Sequence, residues 1–224
     1  MKRGKEMPNR FIALDPSSTA TGWAVFEGET LVAWGTIEVE KLRFSERLLV
    51  IQTTLDTLAD RYGFRGVAAE EIKYAWAGGG RQRNIAGLQV VFRVIKEWAT
   101  GRRFPFQAYN VATWKNNIVG NVHASKEQTQ ENVILRIDHL PRGLSEHEYD
   151  AIAIGLNHAV VLENLEDLRR NPGPFVDALD RKDRLALAKT GIEALIDEAT
   201  GYEDVRPPDE LQKRLKKHRG EGGK

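Results

Sequence analysis

A short apolar run that stops at an acidic residue constrains this chain more than any other feature. Phe11 to Leu14 is continuously hydrophobic and ends in Asp15-Pro16, followed by the small hydroxyl residues Ser17, Ser18 and Thr19. Such a run, bounded by a turn, reads as a buried strand. Gly22 to Glu27 and Leu31 to Val39 read as two further strands, with a hairpin turn near Gly28-Glu29. A helix then spans Ser45 to Arg61, with Leu48, Leu49, Leu55 and Leu58 near helical spacing. Gly66 to Ile72 returns to strand and carries acidic residues at its end. An amphipathic helix from Gln82 to Thr100 and a strand from Pro105 to Tyr109 follow. A helical stretch begins near Val111 and leads into a loop at Gly120 to Ser125. Lys126 to Ile137 is predicted helical, with Ser125 as its cap and Gln128 at capping-box spacing. A last helix covers His147 to Leu165, with Ile152, Leu156, Ala159 and Val160 as its apolar face. This order predicts an α/β domain whose mixed sheet is covered by helices on both faces.

Asn171-Pro172-Gly173-Pro174 marks a boundary. The chain therefore divides into a basic tail (1–9), one main domain (10–168) and a C-terminal helical extension with a basic end (175–224). Its 224 residues suffice for one domain plus an appendage, and 41% hydrophobic with 29% charged residues is ordinary for a globular chain. There is no cysteine, so thiolate sites are excluded and any metal is held by oxygen or imidazole, which favours Mg²⁺ or Mn²⁺. No apolar run is long enough to span a membrane, and the basic N-terminus lacks a secretory core, so the expected compartment is the cytoplasm. Net charge is only +1, but Lys2, Arg3, Lys5 and Arg10 crowd one end, and Lys213, Arg214, Lys216, Lys217 and Arg219 the other. Such ends can neutralise phosphate or can simply be solvated tails.

Four residues stand out together as candidates for chemistry: Asp15, Glu70, His147 and Asp150. Asp15 ends the first strand and Glu70 the fourth. If those strands are neighbours, both carboxylates project from one sheet edge. His147 and Asp150 share one face of a helix, and docking that helix on the edge brings all four together. Clustered carboxylates repel and raise one another's pKa unless a cation lies between them. Two divalent ions offset that repulsion and can assist phosphodiester hydrolysis. Taken singly, each residue also has an ordinary explanation as a capped turn, a solvated strand end or a helix N-terminal residue.

The same residues carry a family likeness. Phe11 to Val25, with Asp15-Pro16-Ser17-Ser18 and Gly22, resembles the opening strand-turn-strand of the RuvC Holliday-junction resolvases. Val67 to Ile72, Asn110 to Lys126 and Glu146 to Ile154 resemble that family's second acidic strand, basic segment and closing helix, in the right order from about residue 10 to 165. The resemblance implies a ribonuclease-H-like mixed five-stranded sheet flanked by helices, and a Mg²⁺-dependent endonuclease for branched DNA such as four-way junctions. Mn²⁺ would substitute, with two ions per site. Asp15, Glu70 and Asp150 would bind metal, and His147 would assist at the second metal or the leaving group. Glu71 is the rival to Glu70, but motif spacing favours Glu70 and strand alternation separates the two. Lys115 and Lys126 match basic positions that contact DNA phosphate.

Two departures bear on substrate choice. Ser17 stands where the family has a second glycine, and Lys73 stands where an aromatic often stacks on an opened base. Tyr74 or Trp76 can replace that aromatic, because base stacking tolerates varied geometry. With Arg81 and Arg83 they make an aromatic-basic loop suited to a branched strand. In the resembled family the helix near 82–100 forms a two-fold homodimer, and Ile85, Leu88, Val91, Phe92 and Ile95 provide an apolar face here. Leu185 to Leu211 resembles a helical module of some phage and bacterial proteins, which makes a phage or prophage origin an expectation. The competing functions are a related nuclease for structured RNA, a non-catalytic DNA-binding module, and a sugar-kinase-like phosphate turn, which would normally need two such domains.

Overall fold

The computed structural model describes residues 10–72 and 82–171, with backbone alone for 82–85, 168 and 169. Three antiparallel strands open the domain: β1 (Arg10–Asp15), β2 (Ala20–Glu27) and β3 (Thr30–Glu38). Helix α1 (Phe44–Tyr62) carries the chain back to β4 (Val67–Glu70), and α2 (Gln82–Gly101) carries it to β5 (Phe106–Tyr109). Both β4 and β5 lie parallel to β1, as strands joined by helical crossovers must. The sheet order is β3-β2-β1-β4-β5. Then come α3 (Val111–Val119), α4 (Lys126–Arg136) and the long α5 (Glu146–Arg170).

Strand alternation divides the core in two. Ile12, Leu14, Val25, Ile37, Val67 and Ala69 face α1 and α2, where Ile51, Leu55, Val91, Ile95 and Trp98 complete one apolar cluster. Phe11, Ala13, Ala24, Phe26 and Ala68 face the other way, against Trp114, Ile118, Val133 and the Ala151–Ile154 stretch of α5. Each of those four α5 residues is fully buried, because the helix lies against the sheet while α3 and α4 pack on it from outside. The expected α/β sheet with helices on both faces is what forms.

Two expected core residues are not core. Leu49 is 64% exposed, because the buried stripe of α1 runs through Ile51, Leu55, Leu58 and Ala59 with Leu48 packed at its margin, and Leu49 lies a third of a turn away. Val160 is 37% exposed for the same reason beside buried Ala159. On α2, Val91 and Ile95 are consumed by the domain's own core, while Val90 remains 39% exposed.

The caps follow from short polar side chains. Ser125 and Ser145 each close a capping box, with Gln128 and Glu148 reaching back to their backbone N–H groups. Asn110 caps α3 by accepting from the Ala112 N–H, and Gly120 ends that helix at φ 76, a left-handed conformation that suits glycine. The expected N-terminal tail (1–9), the loop at 73–81 and the extension at 175–224 lie outside the described residues.

Candidate active site

The site is a row of residues across the sheet, with a helix end set on top of it. Asp15, the last residue of β1, pairs with Gly22 of β2, and Gly22 pairs with Thr36 of β3. On the other side, Leu14 pairs with Ala69 of the parallel β4, so one residue further along both strands Glu70 comes level with Asp15. Since Ala13 and Ala68 face α5, the two-residue period sends Asp15 and Glu70 to that same face.

Helix α5 begins directly over this row. Its capping Ser145 meets the Thr36 hydroxyl at 3.0 Å. A Cβ on Gly22 would lie 1.9 Å from the His147 carbonyl oxygen. Only a residue without a side chain lets the start of α5 come this close, and that approach places His147 beside Asp15. The His147 Nδ1 and Asp15 Oδ2 are 2.5 Å apart. One turn further on, Asp150 is close enough to feel the charges of Asp15, Glu146, Lys115 and His147.

Burial decides the electrostatics. Glu70 is pushed up to about 8, first by desolvation, then by the charge of Asp15, with Asp150 adding to the push. Asp150 is raised to about 7, again by desolvation first and by Asp15 next. Burial also raises Asp15, outweighing the lowering effect of His147. His147 is raised in turn, chiefly by its hydrogen bond to Asp15, so the pair is set to share a proton. Three carboxyls are thus held where ionising all of them is costly without added positive charge.

That environment suits a hard cation: three carboxylates and an imidazole, with no sulfur. Among the described residues, however, no three His, Asp or Glu side chains form a ready-made ligand group. The His147–Asp15 bond engages one carboxylate oxygen, Oδ2, and leaves Oδ1 for an ion. The donor chemistry therefore fits a divalent ion.

The basic residues lie close by. Lys115 donates to the Ala124 carbonyl at 2.9 Å and sits 5.6 Å from the centre of the Trp114 ring, while its charge lowers both Glu70 and Asp150. Lys126 pairs with Glu146 at 2.5 Å. Glu71, the rival carboxylate, uses its backbone N–H to extend the ladder to the Tyr109 carbonyl at 2.7 Å. Lys73, Tyr74, Trp76 and Arg81 lie outside the described residues, as does the side chain of Arg83.

Three contributors were not singled out as site residues from sequence. Trp114 donates its indole N–H to Glu70 Oε2 at 3.1 Å. Glu146 adds negative charge beside Asp15, His147 and Asp150 and holds Lys126. Gly22 supplies the close approach. All three lie in segments that carry the family resemblance, but no local pattern assigns them these contacts.

The family model described as "Crossover junction endodeoxyribonuclease RuvC" matches residues 11–158. The chain belongs to the RuvC family. That match contains all four clustered residues and the three contributors above. Among curated relatives, the RuvC of Helicobacter pylori (strain G27) is 28% identical over 158 residues, covering 67% of this chain and 96% of the relative. The RuvC of Methylobacillus flagellatus is 31% identical over 170 residues, covering 68% and 88% respectively. The fold is that of the Thermus thermophilus RuvC solved in complex with a Holliday junction substrate, at TM-score 0.59 and 21% identity over 68% of this chain and 94% of that one. The yeast mitochondrial Holliday junction resolvase shares it at TM-score 0.53 and 11% identity, over 75% and 85%.

Proposed function

We propose that this protein is a structure-selective DNA endonuclease that cuts four-way or related branched DNA by metal-assisted phosphodiester hydrolysis. The observation that carries the proposal is the row Asp15–Glu70 with Asp150 and His147 above it, in a chain of the RuvC family. Relatives in that family are named crossover junction endodeoxyribonucleases, and the T. thermophilus protein was solved with a Holliday junction.

Asp15, Glu70 and Asp150 are the proposed metal ligands. Two Mg²⁺ ions, for which Mn²⁺ can substitute, would supply the positive charge that lets all three carboxylates ionise and that polarises the phosphodiester and the attacking water. His147 holds a proton at the bond it shares with Asp15, and releasing that bond frees its imidazole to assist at the second ion or at the leaving oxygen. Lys115 and Lys126 offer ammonium groups to backbone phosphates, Lys126 by exchanging Glu146 for DNA. Lys73, Tyr74, Trp76, Arg81 and Arg83 complete the proposed DNA surface. A homodimer through α2 is part of the same reading, since two symmetric sites can cut two like strands, and Val90 leaves apolar surface on that helix. So is the division into tail, nuclease domain and C-terminal extension. Among the described residues no helix is long and apolar enough to cross a membrane, and action on DNA accords with a cytoplasmic protein.

The test is a Mg²⁺-dependent cleavage assay on a mobile four-way junction, beside linear duplex, flap, three-way and structured-RNA substrates. Symmetric paired nicks on the junction alone are expected. Equal cutting of all DNA substrates would reduce the proposal to a general nuclease, and preferential cutting of RNA would replace it.

A further inference from the structure

The indole of Trp114 sits at an unusual junction. The residue is 1% exposed on α3, packed in the cluster that includes Ile118, Tyr109 and Ile152. Indole has a single polar atom, and it can only donate. Here that donor finds Glu70 Oε2 at 3.1 Å, across from the end of β4. The flat face of the same ring carries the Lys115 ammonium, 5.6 Å from its centre, and Lys115 is tied in turn to the Ala124 carbonyl before α4. One buried side chain therefore touches an acidic residue of the site with its edge and a basic one with its face.

Packing would be served by any large apolar residue at this point. What tryptophan adds is the N–H and its aim. A glutamate on the last residue of a strand has three rotatable side-chain bonds, and nothing in its backbone chooses among their rotamers. A rigid donor fixed in the core does choose: it commits one carboxylate oxygen and leaves the other for a cation.

We propose that Trp114 is a positioning residue for metal binding, which holds the Glu70 carboxylate in its ligating orientation through the indole N–H and supports Lys115 on its ring face. The inference rests on the reading of Glu70 as a metal ligand. Hydrogen-bond partners of metal ligands characteristically change metal affinity about 10- to 100-fold when removed. The lower end of that range is expected here, because Glu70 keeps its place on β4.

The experiment uses the full chain without DNA. Mn²⁺ is titrated in, and free ion is followed by its paramagnetic resonance signal, so the readout is binding rather than cutting. Trp114→Phe keeps an aromatic ring and removes the donor. It is expected to weaken Mn²⁺ binding about 10-fold. Because Trp114→Phe also removes volume, the same titration is run with benzothienylalanine at position 114, which keeps the double ring and replaces N–H with sulfur. Equal weakening in both variants supports the donor role. Mn²⁺ affinity within twofold of the parent in the benzothienyl protein overturns it, whatever happens to melting temperature. If the parent protein itself binds no Mn²⁺, the metal-site reading fails and takes this inference with it; parent binding with unchanged benzothienyl binding sinks the inference alone.

Discussion

His147 and His158 lie on the same helix, about three turns apart, and their surroundings push them in opposite directions. His147 stands at the start of α5, bonded to Asp15, and its pKa is raised. His158 is buried between sheet and helix, with Phe11 edge-on at 4.5 Å, and burial drives it down to about 4. It remains a neutral ring whose Nδ1 shares a 2.7 Å hydrogen bond with the Tyr109 hydroxyl. The Tyr109–His158 pair thus satisfies its polar groups internally, without charge. The region around His147 has gathered three carboxyls whose raised pKa values His147 and Lys115 only partly offset. A fold keeps such an unbalanced cluster at a site that receives its compensating charge from outside.

The comparison is broken most severely at Gly22. Gly22→Ala puts a methyl 1.9 Å from the His147 carbonyl oxygen, so α5 must lift or the sheet must bend. A loss on the order of 3 kcal/mol, the upper part of the usual overpacking range, is expected in thermal or urea unfolding. His158 should keep its Tyr109 bond while His147 separates from Asp15, which the imidazole NMR titrations of the two rings would register.

The charged region can be sharpened alone with Glu70→Gln. Glu70 is raised to about 8 in the fold from its ordinary value near 4.5, so folding favours its protonated form. Its contribution is complete below the unfolded value and is lost as pH rises through about 8. Asp150, raised to about 7, behaves the same way over a slightly lower window. The metal-free protein is therefore expected to lose melting temperature between pH 5 and pH 8.5. Glu70→Gln should recover about 5 °C at pH 8.5 and nothing at pH 5. Added Mg²⁺ should stabilise the parent more than the variant.

The neutral region responds with the opposite sign and less strongly. With its folded pKa depressed, His158 contributes stability that is present above its unfolded value near 6.5 and is lost as pH falls through about 4. Tyr109→Phe removes one buried hydrogen bond and is expected to cost about 1 kcal/mol in denaturant unfolding. Junction cutting at saturating Mg²⁺ should be unaffected.

How far these regions could be read beforehand differs for a physical reason. Strand alternation and a run stopping at Asp15 are periodic and local, so the sheet, its helices and the grouping of Asp15, Glu70, His147 and Asp150 were legible. The capping boxes at Ser125 and Ser145 are also local patterns, a serine three residues before Gln128 or Glu148. Leu49 and Val160 were misplaced because neighbouring apolar residues blur a helical stripe by one position. The Trp114–Glu70 bond, the Glu146–Lys126 pair and the Tyr109–His158 bond join residues far apart in sequence, and no local pattern encodes them. Gly22 was visible as part of a motif, but the helix carbonyl that requires it belongs to a segment far along the chain.

The most direct test of the central claim compares Asp15→Asn and Asp150→Asn with the parent protein on a four-way junction, measuring cutting and binding side by side in Mg²⁺. Each substitution keeps the shape of the side chain and removes the charge proposed to hold metal. Cutting should fall by at least about 1,000-fold while junction binding changes by no more than about threefold. Cutting at the parent rate by both variants would contradict the account.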